Sequence, residues 1–216
     1  MGSEMCIRDS QYVDDMNKFS FAAAFTSLLF STPAFADKLS LAQLSEYLNK
    51  MTTAQSSFHQ INADGSRDTG DIYIQRPGRI RFEYDPPNSA LVLAVSNTLS
   101  VFDPQGDGMP QNYPLDKTPL GLVLAKRVDL ENARMVVGHH YDGTATILSV
   151  QDPDHPERGR MDFYFTGPEV DLRQWALFNE SGERTIFVLD DLQLGGKLRS
   201  SLFNVSLEIM QRTQRD

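Results

Sequence analysis

Cysteine is nearly absent from this sequence, which has a single one, Cys6, among 216 residues. Cys6 also lies ahead of the part that we expect to fold, which begins at Asp37. The chain from Asp37 onward therefore has no disulfide and no thiolate metal site. Without covalent cross-links, the protein must be held together by its hydrophobic core, and a chain of this length can bury an adequate one.

Basic residues are also few in relation to acidic ones. The chain has 20 lysines and arginines against 29 aspartates and glutamates, which gives a formal net charge of −9. Phosphate backbones and anionic membrane surfaces attract the opposite balance, so we expect no nucleic-acid partner. The sequence also lacks a linker rich in proline or glycine and lacks internal repeats. Residues 37–216 are therefore predicted to form one domain.

The N-terminal region has the three parts of a secretory signal peptide. The apolar run Phe19–Phe30 is too short for a membrane span, which needs about 20 residues. Lys18 precedes this run and Ala34-Phe35-Ala36 follows it, in the order of a signal peptide with an A-x-A cleavage site. Residues 16–36 are therefore predicted to direct export to the periplasm and to be removed after Ala36, with an uncleaved N-terminal anchor as the alternative. We interpret residues 1–15 as a misassigned start or an artefact.

A helix is predicted directly after this leader. Ser40-Leu41-Ala42-Gln43 has the pattern of a capping box, with an acceptor at the first position and a glutamine three residues later. Apolar side chains then recur at helical spacing, which indicates a helix with one apolar face. The residues of this face are Leu41, Leu44, Tyr47, Leu48 and Met51.

From Phe58 onward, the apolar period changes to two. Between Gly70 and Asp85, one parity is apolar and the other is mostly charged, which is typical of an antiparallel sheet with one face in water. Further strand-like runs follow at short intervals, which favours a barrel or a strongly curved sheet. These runs are Ala90–Val95, Thr98–Asp103, Ala133–Tyr141, Thr144–Val150, Arg160–Thr166, Leu172–Phe178, Arg184–Leu194 and, last, Ser200–Ile209.

The segment Asp116–Lys126 interrupts the strand pattern and is predicted to be a short helix. Thr118 suits the N-cap, Pro119 suits the first helical position and Lys126 suits the last turn. Apolar residues surround most of this helix, so it must cover an apolar surface. Two interpretations stay open: the helix plugs one end of a barrel, or it is a lid over a cavity.

Three stretches together resemble those of a known family. They are the strand pair Gly70–Pro87 with Arg76-Pro77 in it, the hairpin around Asn97–Asp103, and the start of the short helix at Thr118-Pro119-Leu120. In this order they resemble the LolA family of outer-membrane lipoprotein carriers, most strongly over residues 41–124. The resemblance implies a mainly β fold with few helices. That fold is an incomplete antiparallel β-barrel closed by an N-terminal helix and a short lid helix around an apolar cavity.

The function that the resemblance implies is that of a periplasmic chaperone, and not of an enzyme. Such carriers accept acylated lipoproteins from an inner-membrane ABC transporter, shield the acyl chains and pass them to an outer-membrane acceptor. We expect a monomer without a cofactor. Many of these carriers continue after the last strands with a Pro-containing loop and one more strand, which this sequence lacks. An envelope-stress sensor or a carrier of other lipids, built on the same cavity, is therefore the alternative.

The resemblance also implies roles for particular residues. Arg76 falls on the apolar parity of its strand, where a buried charge needs partners, and the resemblance makes it the latch of the lid; the alternative is an arginine solvated at the barrel rim. The candidate cavity residues are Ile72, Ile74, Ile80, Phe82, Tyr84, Met161, Phe163 and Phe165. The candidate lid residues are Thr118, Pro119, Leu120, Leu122, Val123 and Leu124. For each candidate cavity or lid residue, ordinary core packing is the alternative.

Patterns for catalysis or metal binding are weak. His139 and His140 are adjacent, so on a strand they point to opposite faces and cannot bind one metal ion together. The run Asp103–Gly108 faintly resembles a calcium loop, but Pro114 stands where the bidentate glutamate is required. The sequence contains neither a G-x-S-x-G nor an HExxH motif. We therefore expect no catalytic and no metal-binding residues.

Overall fold

The structure is a computed structural model, and it describes residues 37–214. The predictions for residues 1–15 and for the signal peptide lie outside the described residues. The helices are α1 (Leu41–Lys50), α2 (Pro119–Val123) and α3 (Val205–Thr213), and short 3₁₀ turns cover Leu115–Lys117, Pro156–Arg158 and Ser200–Phe203. The strands are β1 (Thr53–Ile61), β2 (Arg67–Gln75), β3 (Arg79–Tyr84), β4 (Leu91–Val95), β5 (Thr98–Phe102), β6 (Gln111–Pro114), β7 (Val136–Tyr141), β8 (Thr146–Gln151), β9 (Arg160–Thr166), β10 (Asp171–Phe178), β11 (Arg184–Leu189) and β12 (Gln193–Leu194).

All of the described strands belong to one antiparallel sheet. Its order is β6-β5-β4-β3-β2-β1-β11-β10-β9-β8-β7, and β12 also pairs with β1. β6 and β7 stand at opposite ends of this order and do not pair with each other within residues 37–214, so the sheet is not closed. The predicted incomplete antiparallel barrel is thereby confirmed. The sheet has a first half, β1 to β6, and a second half, β7 to β11.

Helix α1 lies against the inner face of this sheet. The capping box is present, because Ser40 Oγ accepts from Gln43 N–H at 3.2 Å and the Gln43 side chain accepts from Ser40 N–H at 2.8 Å. Leu44 and Leu48 are fully buried. The ring of Tyr47 meets that of Phe165 edge-on, with centroids 6.1 Å apart. Helix α1 therefore covers the inner face at the second half of the sheet.

Aromatic rings fill the inside of the curved sheet. Phe58 on β1 is fully buried, and its ring centroid lies 5.9 Å from that of Phe82 and 5.2 Å from that of Tyr84. Trp175 on β10 stacks on Phe187 at 5.5 Å. Edge-on and offset rings at such distances gain energy beyond the area that they bury. The two halves of the sheet thus meet through one aromatic cluster.

The prediction of a strand over Ser200–Ile209 is wrong. The chain forms a 3₁₀ turn at Ser200–Phe203 and then helix α3, which starts where the Asn204 side chain accepts from Leu207 N–H at 3.0 Å. Apolar residues of this segment suit either period, and the Asn204 cap favours the helix. The segment packs on the outer face of the first half of the sheet. The residues of this outer cluster are Leu91, Leu93, Phe102 and Phe203, with Tyr73, Val95, Leu198, Leu202, Val205 and Ile209 around them.

Other strand boundaries also differ from the prediction, among them the start of β7 and the end of β11. The predicted strand Ala133–Tyr141 begins only at Val136, because the chain before it forms turns. The predicted strand Arg184–Leu194 is divided after Leu189, and the short β12 follows it. Both β11 and β12 pair with β1, at different positions along it. The chain therefore stays in the sheet on both sides of the break.

Candidate functional site

The lid is the segment 115–127, which connects β6 to the second half of the sheet. It starts with the 3₁₀ turn at Leu115–Lys117 and continues with α2, where Thr118 is the N-cap and Oγ1 accepts from Gly121 N–H at 3.3 Å. Pro119 stands at the first helical position, as the sequence predicts. The helix ends at Val123 and not at Lys126, and Leu124 forms its C-cap, with its N–H donating to Leu120 O at 2.9 Å.

The apolar side of the lid joins the interior. Leu120, Val123 and Leu124 are buried, and Leu122 is half-buried against them. Thr118 and Pro119 are partly exposed at the start of the helix. The lid therefore covers the inside of the curved sheet, while the distinction between a permanent plug and a movable lid stays a prediction.

The candidate cavity residues lie together under the lid. Seven of them are buried in one apolar cluster with the buried lid side chains, and Tyr84 packs against that cluster. The Tyr84 hydroxyl donates to Gln60 Oε1 at 2.6 Å, and burial raises the pKa of Tyr84, so the phenol stays neutral. In the conformation described, the chain's own side chains fill this interior. Their role as walls for an acyl chain stays a prediction, beside ordinary core packing.

Gly121 allows the lid to fold back on itself. A Cβ atom at this position would lie 2.2 Å from Leu115 O and 2.9 Å from Leu115 C, which is backbone that cannot turn away. Overpacking of this kind costs about 1–3 kcal/mol. Close contact between the 3₁₀ turn and α2 therefore requires glycine here.

We expect Gly121→Ala to loosen the lid without unfolding the sheet, because the clash lies between two parts of the lid. Trypsin should then cleave the exposed Lys126 and Arg127 severalfold faster than in the wild type. Gly106→Ala is the matched control, since its added Cβ would meet no atom closer than 3.4 Å. Equal cleavage rates in the two variants would show that Gly121 does not shape the lid.

Two contacts, which we call the latch, tie the end of the lid to the turn between β2 and β3. Arg76 Nη2 donates to Ala125 O at 2.5 Å, and Gly78 N–H donates to Leu124 O at 2.9 Å. Arg76 is half-buried, and burial lowers its pKa. Its Nε is buried and has no hydrogen-bond partner within residues 37–214. Arg76 thus contacts the segment that the resemblance named, and its function as a latch stays a prediction.

A groove of about 470 Å³ runs along the seam between the lid and the neighbouring turns. The β2–β3 turn contributes Pro77 and Gly78, the β4–β5 turn contributes Ser96 and Asn97, and the lid forms the other wall. The lid is therefore not sealed against these turns along its whole length. Any outward movement of the lid would widen this seam.

A second set of contacts to the chain around the lid was not foreseen from the sequence. The side chain of Asn49 on α1 forms two hydrogen bonds with the backbone of Val128, and Ser45 forms one with the backbone of Leu130. Asn49 and Ser45 are polar residues four apart on the side of α1 that the sequence marks as solvated. Such spacing places them on one face of the helix, but nothing in the sequence identifies the partner.

Arg81 is buried, whereas the pattern of its strand predicts an exposed side chain. It belongs to the charged parity of β3, yet its side chain is buried beneath the C-terminal segment. Its Nε donates to Glu83 Oε2 at 2.9 Å, and its Nη1 donates to Glu208 Oε1 at 2.8 Å and to Leu202 O at 3.1 Å. Burial alone would lower the pKa of Arg81, but the bonds and charges of Glu83 and Glu208 raise it.

The histidines that we considered for metal binding have other surroundings. His139 Nε2 lies 2.8 Å from Leu39 O, and burial lowers the pKa of His139. Within residues 37–214, no group of three or more histidine, cysteine or acidic side chains is arranged to hold a metal ion. No helix in this part of the chain combines the length and the hydropathy that a membrane crossing requires.

Comparison with known proteins identifies similar chains. Residues 49–206 match the sequence profile of the family described as outer membrane lipoprotein carrier protein LolA. An outer-membrane lipoprotein carrier protein of Coxiella burnetii is 27% identical over 173 residues, which are 74% of this chain and 80% of that protein. One of Chromohalobacter salexigens is 22% identical over 201 residues, 89% of this chain and 95% of that protein. The crystal structure of a LolA superfamily protein from Nitrosomonas europaea has a TM-score of 0.40 at 10% identity and covers 77% of this chain and 98% of that one.

Proposed function

The chain belongs to the outer membrane lipoprotein carrier protein (LolA) family, and we propose that it is a periplasmic carrier of acylated lipoproteins. In this proposal, it receives lipoproteins released by an inner-membrane ABC transporter and passes them to an acceptor at the outer membrane. The observation that carries the proposal is the lid, which packs on an apolar interior and whose end is held by the two bonds of the latch. No step of this function requires catalysis.

The physical task of such a carrier is to hide hydrocarbon from water. Each buried methylene group contributes about 0.8 kcal/mol, so acyl chains do not cross an aqueous compartment unaided. A curved sheet with an aromatic inner face offers the necessary apolar surface. The interior is filled when the lid is closed, so an acyl chain must replace lid side chains such as Leu120 and Val123.

Reversibility follows from this competition between the lid and the cargo. An acyl chain gains the apolar contacts that the lid side chains lose, and the two latch bonds oppose opening of the lid. The net affinity is therefore smaller than the burial of the acyl chains alone would give. A carrier needs this property, because cargo that is bound too tightly cannot be passed on.

Trp175 offers a direct test of acyl-chain binding. It is the only tryptophan of the sequence, and it is 3% exposed beside Phe163, Phe187 and Phe82. A lipopeptide with brominated acyl chains is expected to quench Trp175 fluorescence, because bromine quenches only at close contact. The same lipopeptide without acyl chains should have no effect. Binding of the brominated lipopeptide without quenching would place the acyl chains outside this interior.

Release from membranes tests the carrier function itself. Spheroplasts that hold radiolabelled lipoproteins are incubated with the protein, and label in the supernatant is counted. A carrier should release lipoproteins and then deliver them to outer-membrane vesicles. Binding without release or delivery would contradict the proposal and would favour the envelope-stress sensor. Retained lipids other than lipoproteins, detected by native mass spectrometry, would favour a carrier of other lipids.

A further inference from the structure

The two ends of the lid are attached to different parts of the fold. At its start, Leu115 N–H donates to Asn97 O at 2.9 Å, in the turn between β4 and β5. The latch then binds the end of the lid to the β2–β3 turn. Both of these attachments belong to the first half of the sheet. The chain that follows the lid is bound to α1 instead.

This second attachment, which we call the anchor, consists of three neutral hydrogen bonds. Asn49 Nδ2 donates to Val128 O at 2.8 Å, and Val128 N–H donates to Asn49 Oδ1 at 2.9 Å. One turn earlier on α1, Ser45 Oγ accepts from Leu130 N–H at 3.0 Å and donates to Leu41 O at 2.7 Å. Val128 is 2% exposed and Leu130 is 1% exposed. Buried backbone groups need such partners, and the anchor supplies three of them.

Helix α1 is itself fixed to the second half of the sheet. Just before the helix, Leu39 N–H donates to Thr146 Oγ1 on β8 at 2.8 Å. Within the helix, the Tyr47 hydroxyl accepts from Leu172 N–H on β10 at 3.3 Å. The buried Leu44 and Leu48 add apolar contacts to the interior. The anchor therefore connects the chain after the lid to α1, whereas the latch connects the lid to the β2–β3 turn.

We propose that Asn49 and Ser45 are positioning residues that keep Val128 and Leu130 attached to α1 while the lid opens. Opening is then confined to residues 116–127, between the fixed points at Leu115 and Val128. The proposal rests on the proposed function only in requiring that the lid opens. With the anchor intact, closure returns Ala125 O to the same place relative to Arg76.

The chemistry of the two attachments supports this division. The latch contains a half-buried guanidinium whose Nε has no hydrogen-bond partner in the described part of the chain, so closing it desolvates a charge that is only partly compensated. The anchor contains only neutral groups, and each of its donors is paired. Separation of the anchor breaks three hydrogen bonds beside the buried Val128 and Leu130, whereas opening of the latch breaks two bonds. The latch is therefore the attachment that opens first.

Amide hydrogen exchange measured by NMR separates the two attachments. Gly78 N–H reports on the latch, and Val128 N–H and Leu130 N–H report on the anchor. In the Arg76→Leu variant without ligand, exchange at Gly78 is expected to rise by about tenfold, the equivalent of one hydrogen bond. Exchange at Val128 and Leu130 should stay as slow as in the wild type. A rise by the same factor at all three amides would overturn the proposal.

The same measurement on the wild type loaded with a diacylated lipopeptide extends the test. Faster exchange at Gly78 with unchanged Val128 and Leu130 is the expected result. Faster exchange at all three would again refute the anchor. If the lipopeptide does not bind, the proposed function fails, whereas the comparison with ligand-free Arg76→Leu still decides whether the anchor holds.

Variants of Asn49 test the residue itself. Asn49→Ala is expected to raise exchange at Val128 by roughly tenfold, and to slow delivery of cargo more than its uptake, because the lid no longer recloses in register. Asn49→Asp keeps the acceptor for Val128 N–H but loses the donor to Val128 O, so it should restore only part of the protection at that amide. Glu46→Ala is the control, since Glu46 is exposed on the same helix and pairs with Lys50. Equal behaviour of Asn49→Ala and Glu46→Ala would remove Asn49 from this role.

Discussion

Replacement of Arg76 by leucine is expected to leave lipoprotein uptake intact and to slow delivery by about tenfold or more. In the structure described, where the lid covers the interior, Arg76 Nη2 donates to Ala125 O, and we expect opening of the lid to break this bond. Hydrogen bonds to charged groups contribute about 1.5–3 kcal/mol, and this one stabilises the closed form. Without it, the open and loaded form gains in population, so cargo is held more tightly.

The experiment measures the two steps separately. Uptake is the release of labelled lipoprotein from spheroplasts, and delivery is its transfer to outer-membrane vesicles. Arg79→Leu is the matched control, because it removes the same charge three residues away, where the exposed Arg79 bonds the side chain of Gln75 and not the lid. Delivery by Arg76→Leu at the rate of Arg79→Leu would show that the Arg76 bond does not govern release.

The fluorescence of Trp175 gives an independent measure of the affinity for cargo. Titration with a brominated lipopeptide should give a dissociation constant for Arg76→Leu that is lower than that of the wild type. The direction of the change in the dissociation constant is more informative than its size, because a merely structural role for Arg76 predicts weaker binding. Weaker binding by Arg76→Leu, with an unchanged unfolding midpoint, would contradict the population shift.

The local sequence pattern was sufficient to predict β2, β3, helix α1 and the start of α2. The alternation between Gly70 and Asp85 fixed the parity of β2 and β3, and their register in the structure follows it, with Ile72 opposite Phe82 and Ile74 opposite Ile80. The capping box of α1 and the Thr118-Pro119 start of α2 are local signals that need no tertiary contact. At the end of α2, Leu124 O accepts from Gly78 N–H, which is a long-range contact, and the prediction there was wrong by three residues.

The sequence pattern did not predict the long-range polar contacts. The partner of Asn49 is Val128, far along the chain and within a segment without regular structure. Arg81 falls on a charged parity, and only the C-terminal segment on the outer face makes it a buried residue. That segment was itself predicted as a strand, because its apolar residues fit two periods equally well. Such contacts depend on which surfaces of the folded chain pack against each other. The pattern of a single sequence does not show this packing.

The ion pair of Arg81 and Glu208 is expected to be the polar contact with the largest effect on stability. The Arg81 side chain is 7% exposed and that of Glu208 is 12% exposed. Removing one partner of a buried pair leaves an uncompensated charge and typically costs about 3–5 kcal/mol. Glu208→Leu should therefore lower the free energy of unfolding by about 3 kcal/mol, a value at the low end because Glu83 and Leu202 O still contact Arg81.

A double variant makes this prediction specific. Arg81→Met combined with Glu208→Leu removes both charges and should be more stable than Glu208→Leu alone, since apolar replacement of a buried pair is often neutral. The ion pair of Glu208 with Arg212, at 3.9 Å, is lost in both variants and does not affect this comparison. Glu83→Gln is the control and should change stability by less than about 1 kcal/mol, because the Glu83 side chain is 52% exposed and exposed pairs contribute little. Urea unfolding is measured for Glu208→Leu, for Arg81→Met alone, for their combination and for Glu83→Gln. Additive losses from the two single substitutions at Arg81 and Glu208 would contradict the pair.

The position of this pair separates stability from cargo handling. Arg81 on β3 and Glu208 on α3 meet at the outer face of the sheet, whereas the lid packs on the inner face. At a temperature where Glu208→Leu is still folded, its affinity for the brominated lipopeptide should equal that of the wild type. The C-terminal segment would then stabilise the first half of the sheet without entering delivery. Altered affinity in folded Glu208→Leu would instead show that the outer face is coupled to the lid through β3.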